Sequence, residues 1–347
     1  MWEIDRYSDQ DQVVMTEQYV LKHLTDIDYE PSEHFVNQQA RSFLLAGKYQ
    51  ACVEFLGLQP IETIETSATL LIYKAAAMLF TEHPQKAIEK ILNKAEQIGG
   101  NENHAGEIAA LRAIIQSYTC DPAVGIKLSQ IALEKIDVDN TYFRNIIERN
   151  LGIAYTIQND FKNANIWFEK LLMSSCKLED WGGVLAAYNY LTYIRKVQGR
   201  LHDADVIYRK ALAFIKKQGL EHLPHAIKLI AGYGQLLLYW NQVDEAKVYF
   251  KKAIQIAAES DILYSYTAYQ FMCEAFLREN DLQGALGVLN ELRHHVEGRQ
   301  DFYERIHIQH TQVLETRIHI AAGQIDQATE WLASSRFDEI PPHKLFK

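Results

Sequence analysis

A small residue recurs a few positions past a short polar corner, and it does so eight times along the chain. LAGKYQAC places Cys52 there, TEHPQKA Ala87, TCDPAVG Gly125, QNDFKNA Ala164, QGRLHDA Ala204, WNQVDEA Ala246, ENDLQGA Ala285 and AAGQIDQA Ala328. Successive small residues lie 35 to 43 residues apart. Repetition at this period is the mark of a solenoid of helical hairpins, in which each unit buries its apolar face only against its neighbours.

Each unit repeats one pattern. A first helix carries apolar residues at three- and four-residue spacing. The corner supplies Asn, Asp or Gly, which tolerate turn dihedrals and can cap the next helix. The second helix opens with the small residue, where a large side chain would push the two backbones apart. An aromatic follows four positions later at Phe168, Tyr208 and Phe250, on the same helix face and assigned to the core. Twelve positions before the small residue stands another, at Ala75, Gly152, Gly234 and Cys273, with the bulkier Thr192 and Thr316 in two units. Glycine inside a helix costs about 1 kcal/mol against alanine, so close helix contact is the expected reason for it.

The pattern predicts an all-α chain in three parts: an N-terminal helix and linker or cap over 1–32, about eight hairpins over 33–335, and an irregular tail over 336–347. Gly99 to Asn103 reads as a loop between the second and third hairpins. Only 7 prolines interrupt the 347 residues, which suits so much helix.

Charge and chemistry narrow the function. The formal charge is −10 and no basic run occurs, which argues against direct nucleic-acid binding. The four cysteines, at 52, 120, 176 and 273, form no CxxC pair and read as buried small hydrophobes of a reducing, cytoplasmic compartment. No secretory signal and no run of eighteen apolar residues is present, so no membrane span is expected. HExxH, GxSxG and phosphate-loop motifs are absent. His294 and His295 fall on different helix faces, and His307 with His310 has no evident third ligand. The expectation is no enzyme, no cofactor and no metal.

The hairpins resemble tetratricopeptide repeats, with Ala204 followed by Ala211 and Ala246 by Ala253. Within that class, GYGQLLLYWNQVDEAKVYFKKAIQIA (232–257), GRLHDADVIYRKALAFIKKQGL (199–220) and AAGQIDQATEWLASS (321–335) are similar to the sensor region of the MalT-like transcription activators, which are ATP-dependent LuxR-type regulators. That resemblance implies a right-handed superhelix acting as receptor for an inducer, which is an oligosaccharide in the namesake. It also implies an ATPase domain and a DNA-binding domain elsewhere in the regulator. The chain has neither the phosphate loop nor a recognisable helix-turn-helix, so it reads as an excised sensor or as a protein that kept the repeat array alone.

First helices line the concave side of such arrays. Counting back from the small residues predicts a ligand-binding set of Asn189, Tyr193, Gln235, Tyr239, Gln270 and Glu274, with Lys196, Lys228 and Arg278 beside them and Arg149 and Arg317 on either side. Rings and amides together suit a small polar effector such as an oligosaccharide. The alternative is a scaffold whose groove clamps a partner protein or peptide without sensing a metabolite. Self-association through an uncapped end is a third expectation.

Overall fold

The computed structural model describes residues 32–81, 83–119, 121–259, 266–296 and 304–334. The N-terminal helix and the C-terminal tail expected from the sequence lie outside them. All the regular structure among the described residues is helical, in 17 helices. They are α1 (Glu33–Leu45), α2 (Tyr49–Gly57), α3 (Ile61–Thr66), α4 (Ala68–Phe80), α5 (Gln85–Asn103), α6 (Ala105–Thr119), α7 (Pro122–Lys135), α8 (Thr141–Ile157) and α9 (Phe161–Lys177). Then come α10 (Trp181–Val197), α11 (Leu201–Gln218), α12 (Pro224–Tyr239), α13 (Val243–Glu259), α14 (Tyr266–Arg278), α15 (Leu282–Val296), α16 (Glu304–Ala321) and α17 (Ile325–Ser334). Eight hairpins result, as the repeat requires. The short α3 is an addition, standing behind Pro60 between the first two hairpins. A correction concerns Gly99–Asn103, which continue helix α5 instead of forming a loop. A Cβ on Gly99 would stand 2.9 Å from the His104 ring and 3.1 Å from the Ala68 methyl, so the glycine there serves close packing.

The chain divides into two compact units, Met1–Val184 and Leu185–Lys347. In the first, a continuous apolar core runs from Val36 on α1 to Leu151 on α8. Two buried polar ties cross it. Asn150 on α8 donates to Ser129 Oγ on α7 at 2.9 Å. Asn145 donates to Ser175 Oγ at 3.2 Å and to Asp180 Oδ2 at 3.3 Å, while Asp180 Oδ1 accepts from the Gly183 amide at 2.9 Å. In the second unit, Ile227, Ile230 and Ala231 of α12 meet Ala253 and Ala257 of α13 and Ala268 of α14.

One joint recurs among the described residues. Six corners place a residue in the left-handed region five positions before the small marker: Gly47, Asn159, Gly199, Asn241, Asn280 and Gly323, with φ between 58° and 74°. Glycine meets no Cβ penalty there, and asparagine tolerates the conformation better than most residues. The next amide reaches back five residues, as in Arg200 N to Arg195 O at 2.8 Å and Gln242 N to Leu237 O at 2.9 Å. This is the Schellman closure, which satisfies carbonyls that the ending helix leaves open. Asp160, Asp281 and Asp121 then cap the following helices through the amides of Asn163, Gly284 and Ala123.

Past the joint the marker residues pack as expected: Cys52, Ala164, Ala204, Ala246 and Ala285 are fully buried. The aromatic four positions on fills the space left by the small residue of the first helix. Phe168 lies against Gly152 and Phe250 against Gly234. Where Thr192 replaces glycine, its partner is Tyr208, whose hydroxyl hydrogen-bonds it. Gly125 inverts the arrangement, since the Ser117 side chain of α6 fills the room beside it.

Candidate functional site

The first helices of the second unit carry the residues singled out from the sequence. Over the first three of them, α10, α12 and α14, the charge is one-sided. Helices α10 and α12 contain Arg195, Lys196 and Lys228 and no Asp or Glu, and α14 adds Arg278 and the single carboxylate Glu274. This layer is cationic in a chain whose formal charge is −10.

Lys196 and Gln235 join α10 to α12, with Nζ donating to Gln235 Oε1 at 2.5 Å. The ammonium lies 5.8 Å from the centre of the Tyr208 ring. Burial pushes Lys196 down to about 8, with the Tyr239 hydroxyl opposing in the other direction. No carboxylate pairs with Lys196 among the described residues. Tyr193 stands one turn before Lys196 and Tyr239 one turn after Gln235, so both rings share the faces that the bridge connects. Each is 48% exposed.

A second cluster links α12, α14 and α16. Arg278 donates through Nη1 to the Leu238 carbonyl at 2.7 Å and through Nη2 to Glu274 Oε1 at 2.8 Å. Arg317 approaches Glu274 Oε2 at 3.7 Å. Burial raises the Tyr266 hydroxyl well above its ordinary range, and Arg317 opposes the shift.

Asn189 serves packing. Its Nδ2 donates to the Leu185 carbonyl at 3.1 Å and to the His225 carbonyl at 2.9 Å, tying α10 to the first turn of α12. Gln270 is partly exposed on α14. The structure thus brings Gln235 and Tyr239 to Lys196, with Tyr193 one turn earlier on α10, and Glu274 to Arg278 and Arg317. Arg149 belongs to the first unit, where its guanidinium lies 4.3 Å over the Phe80 ring. Trp240 stacks on His202 of α11 with centroids 5.4 Å apart.

The central place of Lys196 escapes a residue-by-residue reading, because its burial depends on how α10 leans on α12. The available signal is the missing acid: two successive first helices without a carboxylate. Cys176 corrects the reading of the cysteines, being exposed on α9, while Cys52 and Cys273 are buried and Cys120 lies outside the described residues. Among the described residues no three His, Cys, Asp or Glu side chains are placed to hold a metal ion. No helix there is long and apolar enough to cross a membrane.

Residues 106–345 match the family described as the MalT-like TPR region. The chain belongs to that family. The MalT-like region is also found in curated relatives. The HTH-type transcriptional regulator MalT of Cronobacter sakazakii is 25% identical over 236 residues, which are 67% of this chain and 26% of that protein. MalT of Klebsiella pneumoniae is 24% identical over 225 residues, or 64% of this chain and 25% of that protein. The chain therefore spans about a quarter of the length of these MalT relatives. Among solved structures, a Rap protein complexed with competence and sporulation factor superposes with a TM-score of 0.62 at 11% identity, over 86% of this chain and 85% of that one. At that identity the likeness speaks for the helical-repeat fold.

Proposed function

We propose that residues 33–335 form an effector-sensing and protein-interaction domain of a cytoplasmic transcriptional regulator, taking a small polar ligand on the first-helix face of the second unit. The observation that carries this reading is the Lys196–Gln235 bridge, with a half-exposed tyrosine one helical turn away on each of the two helices it joins, so that a polar pair is offered beside stacking surfaces. Membership of the MalT-like family supplies the regulatory setting. Of the residues expected from the sequence, Tyr193, Gln235 and Tyr239 form the centre of the site, and Gln270 and Glu274 its continuation along α14. Asn189 holds α10 against α12 behind them.

Such a ligand regulates by favouring one conformation or assembly over another, and only to the extent that it binds the two differently. The test is a calorimetric screen of the purified chain against neutral oligosaccharides, organic acids and amino acids. Any hit is then repeated with Tyr239→Ala and Gln235→Ala. Binding that both substitutions weaken supports the site. Binding that neither changes moves the ligand elsewhere.

A second reading draws on the Rap protein, whose structure holds competence and sporulation factor. Here the same helical face clamps a partner protein. Stoichiometric capture of one protein, unaffected by every metabolite in the screen, decides for that alternative.

A further inference from the structure

Lys196 is surrounded by groups that leave its charge uncompensated. Its hydrogen-bond acceptor is the neutral Gln235 amide oxygen. The charged or titratable groups near it are Tyr193 and Arg195 on its own helix, Tyr208 on α11 and Tyr239 on α12, and none is a carboxylate. Burying an ammonium without an anion is costly, and an apolar side chain of similar length would pack there more cheaply. The one carboxylate of the neighbouring α14, Glu274, is engaged by Arg278 and Arg317.

We infer that Lys196 anchors a binding site for a carboxylate ligand, with Gln235 as second donor and the rings of Tyr193 and Tyr239 flanking the ligand's body. The assignment deepens the effector-sensing reading and rests on it. With Gln235 Oε1 accepting from Lys196, the amide Nε2 is left to donate, and it has no partner among the described residues. The ammonium keeps two further protons for an incoming oxygen. The donor set is one point charge and one amide, which matches the two oxygens of a singly charged carboxylate. A phosphate dianion asks for a guanidinium fork or a nest of backbone amides, and Arg278 is occupied by the Leu238 carbonyl and Glu274. The half-exposed tyrosines favour an acid with a flat or apolar frame.

The test uses the full 347-residue chain with carbon-13-labelled lysine. The Lys196 resonance is assigned by its loss in Lys196→Met and titrated with pH in the presence of benzoate, its amide benzamide, or inorganic phosphate. Benzoate is expected to raise the Lys196 midpoint by about one pH unit or more, as an anion beside an ammonium does. Benzamide is expected to leave the midpoint in place. Tyr193→Ala, Tyr239→Ala and Gln235→Leu should each weaken benzoate about three- to tenfold, and Lys196→Met by about tenfold or more, with the helical circular dichroism unchanged. A midpoint that benzoate does not move, or that benzamide moves equally, overturns the proposal. Phosphate acting more tightly than benzoate overturns the carboxylate class. A carboxylate metabolite from the screen that binds Lys196→Met as well as the parent chain also overturns it while leaving the sensing reading intact. Conversely, benzoate engaging Lys196 while no metabolite binds in the screen sinks the sensing reading and supports the site.

Discussion

The Phe250 ring occupies the position that a Cβ on Gly234 would take, with Cε1 2.5 Å from it. Gly152 and Phe168 repeat the arrangement at 2.5 Å earlier in the chain. Phe250 and Phe168 are fully buried, so neither ring has open space to retreat into. Gly234→Ala gains about 1 kcal/mol of helix propensity and loses about 1–3 kcal/mol to overpacking. Net destabilisation is expected, read as a lower denaturant midpoint. Gly287, in the interior of α15, has nothing within 4 Å of its Cβ position. Gly287→Ala should therefore stabilise by about 0.5–1 kcal/mol. Equal effects at the two glycines would contradict the packing described.

The corner joint gives a prediction with the opposite sign from ordinary glycine replacement. Gly199 has room around it but a φ of 70°. Gly199→Ala should cost about 1–2 kcal/mol through backbone strain alone. Asn241→Gly keeps the left-handed residue and should shift the melting temperature very little. A Gly199→Ala protein as stable as the parent would show that the corner relaxes out of the Schellman closure.

Lys196 makes stability depend on pH in a defined window. Its native value of about 8 lies below the roughly 10.4 of an unfolded lysine. Below about pH 8 both states are protonated and the burial penalty is present in full. Between about 8 and 10.4 the unfolded chain binds the extra proton, so this group makes stability rise with pH, and above that range its penalty is gone. Lys196→Met should flatten this component and raise the melting temperature at pH 7, while weakening benzoate. Superimposable pH–stability curves for the two proteins would refute the burial of the ammonium.

Thiol labelling separates the cysteines. Cys52 and Cys273 are buried, pushed up to about 12 by burial, and lie 3.6 Å from the Ala40 and Ala285 carbonyls. Cys176 is exposed on α9. In the native protein iodoacetamide should modify Cys176 well before Cys52 or Cys273, as followed by peptide mass mapping. Burial also raises the Cys176 thiol above its ordinary value, so its labelling should keep accelerating above pH 9. Labelling of Cys52 at the Cys176 rate under native conditions would contradict the first-hairpin core.

The hairpins were legible because their constraint is local. A small residue, an Asn or Gly five places earlier and an aromatic four places later lie within one corner and one turn. The Gly99 stretch misled for the same local reason: paired glycines suggest a loop unless the nearby Ala68 methyl and His104 ring are known. Partners 36 to 40 residues apart were beyond a local reading, as with Asn189 on the His225 carbonyl or Arg278 on the Leu238 carbonyl. Counting back from the markers picks out one face of each first helix. It could not tell a packing amide such as Asn189 from a presented one such as Gln235, because that depends on how closely successive helices approach.

The constancy of the corner joint bears on how such a chain can change its length. From Gly234 on α12 to Phe250 on α13 the backbone is pinned by the left-handed Asn241, the backward amide bond of Gln242 and the glycine–ring contact. Yet Cys52 and Ala87 are 35 residues apart while Ala285 and Ala328 are 43 apart. The corners are alike in the two cases, and the helices differ: α2 and α4 have 9 and 13 residues where α15 and α16 have 15 and 18. Insertions and deletions during divergence should therefore be purged from the corners and tolerated away from them, at far helix ends and at passages between hairpins such as 219–223. A reporter peptide or protease site grafted into the same passages should leave each hairpin intact.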